Sequence, residues 1–329
     1  MHIIALISLR RMINGKNIFP IAYLLAIDIS DFTCVELLKG GLYMKYSELA
    51  SFGFDIKDKI ASWLNEDIGS GDITTEATVE KNACTHAIIH AKAEGILAGV
   101  PLARLVFETI DPGLTFTAKL DDGAKLNNKS VIAEVDGNAR AILTGERLAL
   151  NLLQHLSGVA TRTHELSSII SDYHAVLVDT RKTTPGMRLL EKYAVRVGGG
   201  KNHRLGLYDA MLIKDNHIKV AGGVAEAVRL GREYASHMTK IEVEVENMAG
   251  VEEALSVGAD VIMLDNMSPA DMAECVRRID GKAMTEASGG IDESTIEAAA
   301  KSGVDVISVG GLTHSVKALD ISMDIGEIK

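Results

Sequence analysis

Residues 240–266 read KIEVEVENMAGVEEALSVGADVIMLDN and contain two short apolar runs separated by a helix-like interval. The runs KIEVEVEN (240–247) and DVIMLDNM (260–267) have the length of strands, and MAGVEEALSVG (248–258) lies between them. A strand, a helix and a second strand at this spacing predict a βαβ unit, because parallel strands need a crossover connection. This stretch therefore predicts a parallel sheet.

The same alternation extends over the chain after His174, where helix-like intervals such as GGVAEAVRLGREYAS (222–236) separate the later runs. Six strand-like runs are two fewer than a complete eightfold barrel contains, so an open doubly wound sheet stays possible on pattern alone. The six runs are AVLVDTRKT, AMLIKDNH, KIEVEVEN, DVIMLDNM, KAMTEASGG and DVISVGG.

The chain before His174 has a different pattern. Strand-like runs at 87–90, 114–118 and 131–135 alternate with the turn signals DPG, DDG and DG, and one helical stretch, VPLARLVFETI, interrupts them. This pattern predicts a small α+β domain on antiparallel strands. A helix with an apolar stripe follows over residues 144–170.

Residues 1–43 are predicted to be an extension that is not needed for folding. Their apolar stretch, Ile18 to Ile27, is far shorter than the roughly 20 residues of a membrane-spanning helix. The pattern of a soluble domain begins at Met44, which is the expected start of the folded part.

Composition excludes some classes of protein. The 329 residues carry a net charge of −11, which argues against a sequence-independent nucleic-acid binder. Between residues 179 and 219, however, nine Lys and Arg residues stand against four acids, so an anion site must be local. The three cysteines lie far apart without a CxxC motif, which fits the reducing cytoplasm and predicts neither disulfides nor a zinc site.

Cationic side chains follow several of the predicted strands. Because the carboxyl ends of parallel strands meet at one face, these side chains should converge there and bind a ligand with several negative charges. They are Arg181, Lys182, His203, Arg204 and Lys214. Arg188, Lys192 and Arg196 are instead predicted to lie on a solvated helix face.

Acidic and glycine residues occupy other strand ends. Glu242, Glu244 and Glu246 alternate along one strand, which places them on one face, and Asp265 ends the next. Glu244 and Asp265 are the preferred Mg²⁺ ligands, whereas Glu242 and Glu246 could equally be salt-bridge partners. The pairs SGG (288–290) and GG (310–311) predict a phosphate cradle, although either pair alone would be a weak signal.

These motifs, in this order, resemble those of quinolinate phosphoribosyltransferases. The resemblance extends from about Leu64 to the C-terminus, and its long central motif is highly specific. The motifs are NEDIGSGDITT, GERLALNLLQHLSGVAT, DTRKTTPGMRLLEKYAVRVGGGKNHRLGLYDAMLIKDNH, VEVEN, MLDN, ASGGI and GGLTHS.

The resemblance implies an N-terminal α+β domain with an antiparallel sheet, packed on an incomplete α/β barrel similar to a TIM barrel. We expect residues 44–158, joined by 314–329, to form the first domain and residues 159–313 the second. It implies a homodimer or a larger homo-oligomer with a shared site, and Mg²⁺ as the only cofactor. It also implies phosphoribosyl transfer from phosphoribosyl pyrophosphate to quinolinate with decarboxylation, and no nucleic-acid or membrane partner.

Individual residues match the family's site positions. Lys182, Glu244 and Asp265 are the expected catalytic residues, with Glu244 and Asp265 also near Mg²⁺, and Arg147 matches an arginine supplied by the partner subunit. The expected substrate-binding residues are Arg147, Arg181, Lys182, His203, Arg204, Lys214, Glu244, Asp265, Ser288, Gly289, Gly310 and His314.

Three alternatives remain at the level of the sequence. A related phosphoribosyltransferase could act on a different nitrogen base, and a Schiff-base lyase could use Lys214 as its nucleophile. A third interpretation is a lipoyl- or biotin-carrier segment over residues 122–137, although a modified lysine at a hairpin tip is not evident there.

Overall fold

The computed structural model describes residues 56–327 of the protein. The predicted extension of residues 1–43 and the predicted start at Met44 lie outside the described residues. Across the described part of the chain, no helix combines the length and the apolar character that a membrane crossing requires.

An antiparallel sheet of four strands forms the N-terminal half, in the order β12, β1, β5, β3. Its central strand β1 pairs with the C-terminal strand β12 on one side, so the end of the chain returns to this sheet. The antiparallel α+β arrangement predicted from the turn signals is confirmed. The strands are β1 (Cys84–Ala91), β3 (Thr115–Ala118), β5 (Val131–Asn138) and β12 (Ile321–Ile325).

Two short strands, β2 (Gly95–Ile96) and β4 (Lys125–Leu126), pair with each other outside this sheet. Because β4 pairs with β2 whereas β5 pairs with β1 and β3, residues 122–137 do not form the hairpin that a carrier segment needs. The carrier interpretation is therefore wrong.

The helices of this half include one very long one. It begins at Ala139 rather than at the predicted Thr144, because the Asn138 side chain accepts a hydrogen bond from the Ala141 amide at 3.2 Å. Its later turns hold the returning C-terminal segment, since the Gln154 side chain donates to the Ile321 carbonyl at 2.7 Å. The helices are α1 (Ile56–Ile68), α2 (Ile73–Thr78), α3 (Val100–Ile110) and α4 (Ala139–Ile169).

A parallel sheet of six strands forms the C-terminal half, and all six predicted runs are confirmed as strands. The order is β6, β11, β10, β9, β8, β7, so β7 to β11 follow one another without the reversal of a doubly wound sheet. The strands are β6 (Val176–Val178), β7 (Met211–Ile213), β8 (Ile241–Val245), β9 (Val261–Asp265), β10 (Met284–Ser288) and β11 (Val306–Ser308).

The barrel is incomplete between β6 and β7. Within the described chain these two strands do not pair with each other, and only a single bridge from Lys201 to Val178 extends the sheet beyond β6. The open doubly wound alternative is therefore wrong. The helices between and after the strands are α5 (Arg188–Val197), α6 (Asp215–Ala221), α7 (Val224–Tyr234), α8 (Met248–Ser256), α9 (Pro269–Ile279), α10 (Ile296–Lys301) and α11 (Gly311–His314).

Strand β8 shows how the barrel positions charged groups. Ile241, Val243 and Val245 belong to the hydrophobic core, and the alternate residues Glu242 and Glu244 are also buried. Successive side chains point to opposite faces of a strand, so both carboxylates share one face. The third predicted member, Glu246, follows the end of β8 and is exposed, so it does not extend this buried row.

Candidate active site

The carboxyl ends of the barrel strands carry the predicted site residues. Asp265 and Ser288, the last residues of β9 and β10, pair directly in register. Lys214 follows β7, and Arg181 and Lys182 follow β6. These positions share one edge of the sheet because all six strands run in the same direction.

The loops after β6 and β11 meet at Gly310. A Cβ atom placed on Gly310 would lie 2.8 Å from Cδ of Lys182 and 3.1 Å from Cδ2 of His314, so both side chains pack against this glycine. The Thr313 hydroxyl donates to the Lys182 carbonyl at 2.7 Å. The structure therefore brings Lys182, Gly310 and His314 together at the start of α11.

The loop after β10 needs glycine for a different reason. Gly289 has a φ of +94°, and a Cβ atom there would lie 2.3 Å from Oδ1 of Asn266. Asn266 also has a positive φ, of +53°, and its side-chain amide donates to Asp265 at 2.6 Å. The loops after β9 and β10 therefore approach each other closely, which places Asp265 beside the glycine pair Gly289 and Gly290.

Arg181 and Arg204 lie close enough to influence each other. Burial and the charge of Arg181 lower the pKa of Arg204, which nevertheless stays a cation. Directly after β7, Lys214 lies 3.0 Å from Glu244. Together with Lys182, these residues make four cations at one mouth, which can bind a ligand that carries several carboxylate or phosphate groups.

The prediction that Lys192 lies on a solvated helix face is wrong. Its side chain is fully buried, with Nζ 2.5 Å from Asp179 and 3.0 Å from the His203 carbonyl. Arg188 and Arg196, the other two residues of that prediction, are only partly exposed. Burial lowers the pKa of Lys192 and raises that of Asp179, and their mutual contact opposes both shifts.

His203, Glu242 and Glu286 form a buried cluster under the mouth. The sequence analysis did not single out Glu286. His203 Nε2 lies 3.2 Å from Glu242 and 3.7 Å from Glu286, and both carboxylates are almost completely buried. Burial and the charge of Glu242 raise the pKa of Glu286 to about 7. Burial lowers the pKa of His203, but the hydrogen bond to Glu242 and the charges of Glu286 and Glu242 outweigh it and raise the pKa.

A second missed residue, Glu191, is fully buried beside the loop that follows β6. It accepts a hydrogen bond from the Thr184 amide at 3.0 Å, and its other oxygen lies 2.8 Å from Nε2 of His155 on α4. Glu191 therefore links the long helix to the backbone just after Arg181 and Lys182.

Comparison with known proteins identifies this arrangement. Residues 72–157 match the N-terminal domain of quinolinate phosphoribosyl transferase, and residues 159–324 match its C-terminal domain. The chain belongs to the quinolinate phosphoribosyltransferase family.

Similar proteins come from distant organisms. A probable nicotinate-nucleotide pyrophosphorylase (carboxylating) of Bacillus subtilis is 46% identical over 270 residues, covering 82% of this chain and 93% of the relative. The chloroplastic nicotinate-nucleotide pyrophosphorylase of Arabidopsis thaliana is 41% identical over 291 residues, with 83% of each covered. The solved nicotinate-nucleotide pyrophosphorylase of Francisella tularensis superposes with a TM-score of 0.79 at 44% identity, covering 82% and 95% of the two chains.

In this quinolinate phosphoribosyltransferase-family chain, Arg147 lies on the long helix α4 and not on one of the strand-end loops described above. It is exposed on α4 and lines a cavity of about 440 Å³ together with Trp63, His155 and Thr184. Within the described contacts of this single chain, none joins Arg147 to Arg181 or the other mouth cations. The expectation that Arg147 serves a partner subunit's site stays a prediction.

The donor set of Glu244 and Asp265 fits a hard cation. Glu244 pairs in register with Met263, so Asp265 lies two residues further along the neighbouring strand and on the same face. Carboxylate oxygens, few in number and next to a phosphate site, suit Mg²⁺, which keeps several of its own waters.

Proposed function

We infer that the chain catalyses phosphoribosyl transfer from phosphoribosyl pyrophosphate to quinolinate with decarboxylation, which yields nicotinate mononucleotide, pyrophosphate and CO2 in NAD biosynthesis. This conclusion rests on the match to both family domains in a chain whose barrel mouth combines cations with two glycine loops. A dicarboxylate and a phosphorylated sugar together need both kinds of group.

The cations divide between the two substrates. Arg181 and Arg204 present planar guanidinium groups, which suit the two carboxylates of quinolinate. Lys182 packs against Gly310 beside His314, so its charge lies next to the loop proposed to bind the 5'-phosphate. Ser288 and Gly289 complete this cradle from the neighbouring strand, and Lys214 is placed to contact substrate from β7.

The chemistry of transfer is mainly electrostatic. As pyrophosphate leaves, the ribose carbon becomes cationic, and the pyridine nitrogen of quinolinate attacks it. Glu244 and Asp265 on the same face of the sheet stabilise that positive charge. Mg²⁺, when held by these two carboxylates through its waters, would neutralise charge on the pyrophosphate.

Decarboxylation follows from the product of transfer. The ring nitrogen is now cationic, so the electron pair of the breaking bond to the 2-carboxylate can stay on the adjacent ring carbon while CO2 departs. A proton then replaces the carboxylate at that carbon. The ring itself stabilises the negative charge, so the proposal needs no organic cofactor.

We also propose that the protein works as a homodimer or a larger homo-oligomer in which Arg147 completes the partner's site, and that it acts in the cytoplasm. The exposed position of Arg147 on α4 supports the first point. The two described cysteines, exposed Cys84 and buried Cys275, are both free, which suits a reducing compartment.

The test is an assay of the purified full-length chain with quinolinate, phosphoribosyl pyrophosphate and Mg²⁺, in which nicotinate mononucleotide and CO2 are measured together. We expect equal amounts of both products, none when nicotinate replaces quinolinate, and none after Mg²⁺ is chelated. Nicotinate mononucleotide formed from nicotinate as readily as from quinolinate would contradict the assignment of the base.

A further inference from the structure

The gap in the barrel between β6 and β7 contains one short stretch of backbone pairing. Within residues 56–327 these two strands do not pair with each other, and the segment before β7 joins β6 through a single parallel bridge between Val178 and Lys201. The Lys201 amide donates to the Leu177 carbonyl at 2.9 Å, and the Asp179 amide donates to the Lys201 carbonyl at 3.2 Å. From Asp179 onward, a side chain takes over the connection to this segment.

Asp179 and Lys192 hold the backbone of His203 on both sides. Oδ1 of Asp179 accepts a hydrogen bond from the His203 amide at 2.9 Å, and its Oδ2 accepts one from the Asn202 side chain at 2.6 Å. Nζ of Lys192 donates to Oδ1 of Asp179 at 2.5 Å and to the His203 carbonyl at 3.0 Å. One buried ion pair therefore fixes both the donor and the acceptor of the His203 backbone.

Burial shows that this pair acts at a distance from the substrate. Both side chains are 0% exposed, so neither can contact a ligand at the barrel mouth. A buried ion pair is often no more stabilising than apolar side chains of similar volume, because its desolvation cost offsets the attraction. Stability alone therefore does not explain why two charges occupy this position.

The two loops that the pair joins carry arginines that lie close together. Asp179 stands two residues before Arg181, and His203 directly precedes Arg204. Burial and the charge of Arg181 lower the pKa of Arg204, which shows that the two guanidinium groups interact. Like charges repel, so an anchor on each loop is needed to keep the arginines at a fixed spacing before substrate binds.

We propose that Asp179 and Lys192 are positioning residues that replace strand pairing in the gap of the barrel and set the spacing of the two arginines that bind quinolinate. The pair acts through the backbone of His203, which it holds at both the amide and the carbonyl. The proposal rests on the proposed function where it assigns Arg181 and Arg204 to quinolinate, and its first test does not depend on that assignment.

The first test measures backbone opening without any assay of activity. Amide hydrogen exchange of the full-length protein, followed by mass spectrometry, is compared with that of Lys192→Met and of Asp179→Asn/Lys192→Met. Residues 199–206 should exchange about tenfold faster or more in both variants, because the His203 carbonyl has lost its donor, while β9 and β10 stay protected. Unchanged exchange in residues 199–206, or an equal increase in every segment, would overturn the proposal.

The second test is the KM for quinolinate, with kcat and the KM for phosphoribosyl pyrophosphate measured beside it. Lys192→Met leaves the Asp179 carboxylate buried without its cation, whereas the double variant removes both charges and should unfold at a higher temperature. Neither variant has a donor for the His203 carbonyl, so both should raise the KM for quinolinate about tenfold or more and change the other two constants much less. A double variant that recovers the native KM along with its stability would show that the pair only stabilises the fold.

Two further variants complete the comparison. Asn202→Ala keeps both buried charges and stays informative if the charge variants do not fold; without the hydrogen bond to Asp179, the KM for quinolinate should rise about threefold. Lys301→Met makes the same substitution as Lys192→Met in an exposed ion pair with Glu297, and should leave this KM unchanged. Equal KM values in Asn202→Ala and Lys301→Met would contradict the proposal. If the unmodified protein does not turn over quinolinate, the proposed function fails, and hydrogen exchange still decides the role of the buried pair.

Discussion

At the scale of single residues, Glu191 is the clearest case of a buried charge that holds a binding loop. It accepts the Thr184 amide hydrogen bond and contacts His155, so Glu191→Ala removes both partners at once. We expect kcat/KM to fall about tenfold or more, because the Thr184 amide, two residues after Lys182, loses the acceptor that holds it in place. Glu191→Gln keeps an acceptor for the amide and should lose much less. Steady-state kinetics with both substrates measures the difference.

The matched control for this prediction is Glu293→Ala. Glu293 pairs with Arg162 at the surface and its side chain is 61% exposed, so its contribution should be small. Equal losses in Glu191→Ala and Glu293→Ala, with both proteins folded, would show that Glu191 does not position the loop.

The sequence is least informative about single residues when their partners come from distant parts of the chain. Arg181 and Lys214 could be placed because they directly follow readable strands. Lys192 lies on an amphipathic helix with other cations and therefore resembles a surface residue, yet the fold brings Asp179 to it. Glu286 carried one signal, since it is the only acid in β10 and shares a face with Ser288 two residues later.

At the scale of elements, the junction of β11 and α11 makes a steric prediction. Gly310 has a φ of −66°, so alanine causes no backbone strain there, but its methyl group would meet the Lys182 side chain at 2.8 Å. Gly310→Ala should therefore displace Lys182 and raise the KM for phosphoribosyl pyrophosphate about tenfold, the scale of one lost charge-assisted hydrogen bond. Substrate titrations at saturating quinolinate measure this.

Gly311→Ala is the matched control, one residue further along. Its added methyl group meets only Val309, at 3.8 Å, and alanine favours the first turn of α11. We expect its effect on the same KM to be much smaller. If both variants raise the KM equally, the contact between Gly310 and Lys182 is not what positions the lysine.

At the scale of the whole molecule, the positions of the strands could be predicted from the sequence, but the order in which they pair could not. Apolar runs with the length of strands identify all six barrel strands because each is bounded by polar or glycine residues. The order of strands depends on tertiary packing, and so does the bridge of Lys201 to Val178. The placement of β12 beside β1 was expected from family resemblance, since nothing local in residues 321–325 specifies a partner more than 200 residues away.

The largest question for the whole assembly is which site Arg147 serves. If it acts across a twofold dimer, mixing an Arg147→Ala subunit with a Lys182→Ala subunit gives heterodimers in which one site has both native residues and the other has neither. When the two subunits exchange randomly, half the dimers are mixed, so activity should recover to about one quarter of the native value. Differently tagged subunits and native mass spectrometry establish that exchange has taken place. Each variant mixed with itself provides the baseline, and activity that stays at this baseline despite proven exchange would place Arg147 in the site of its own chain.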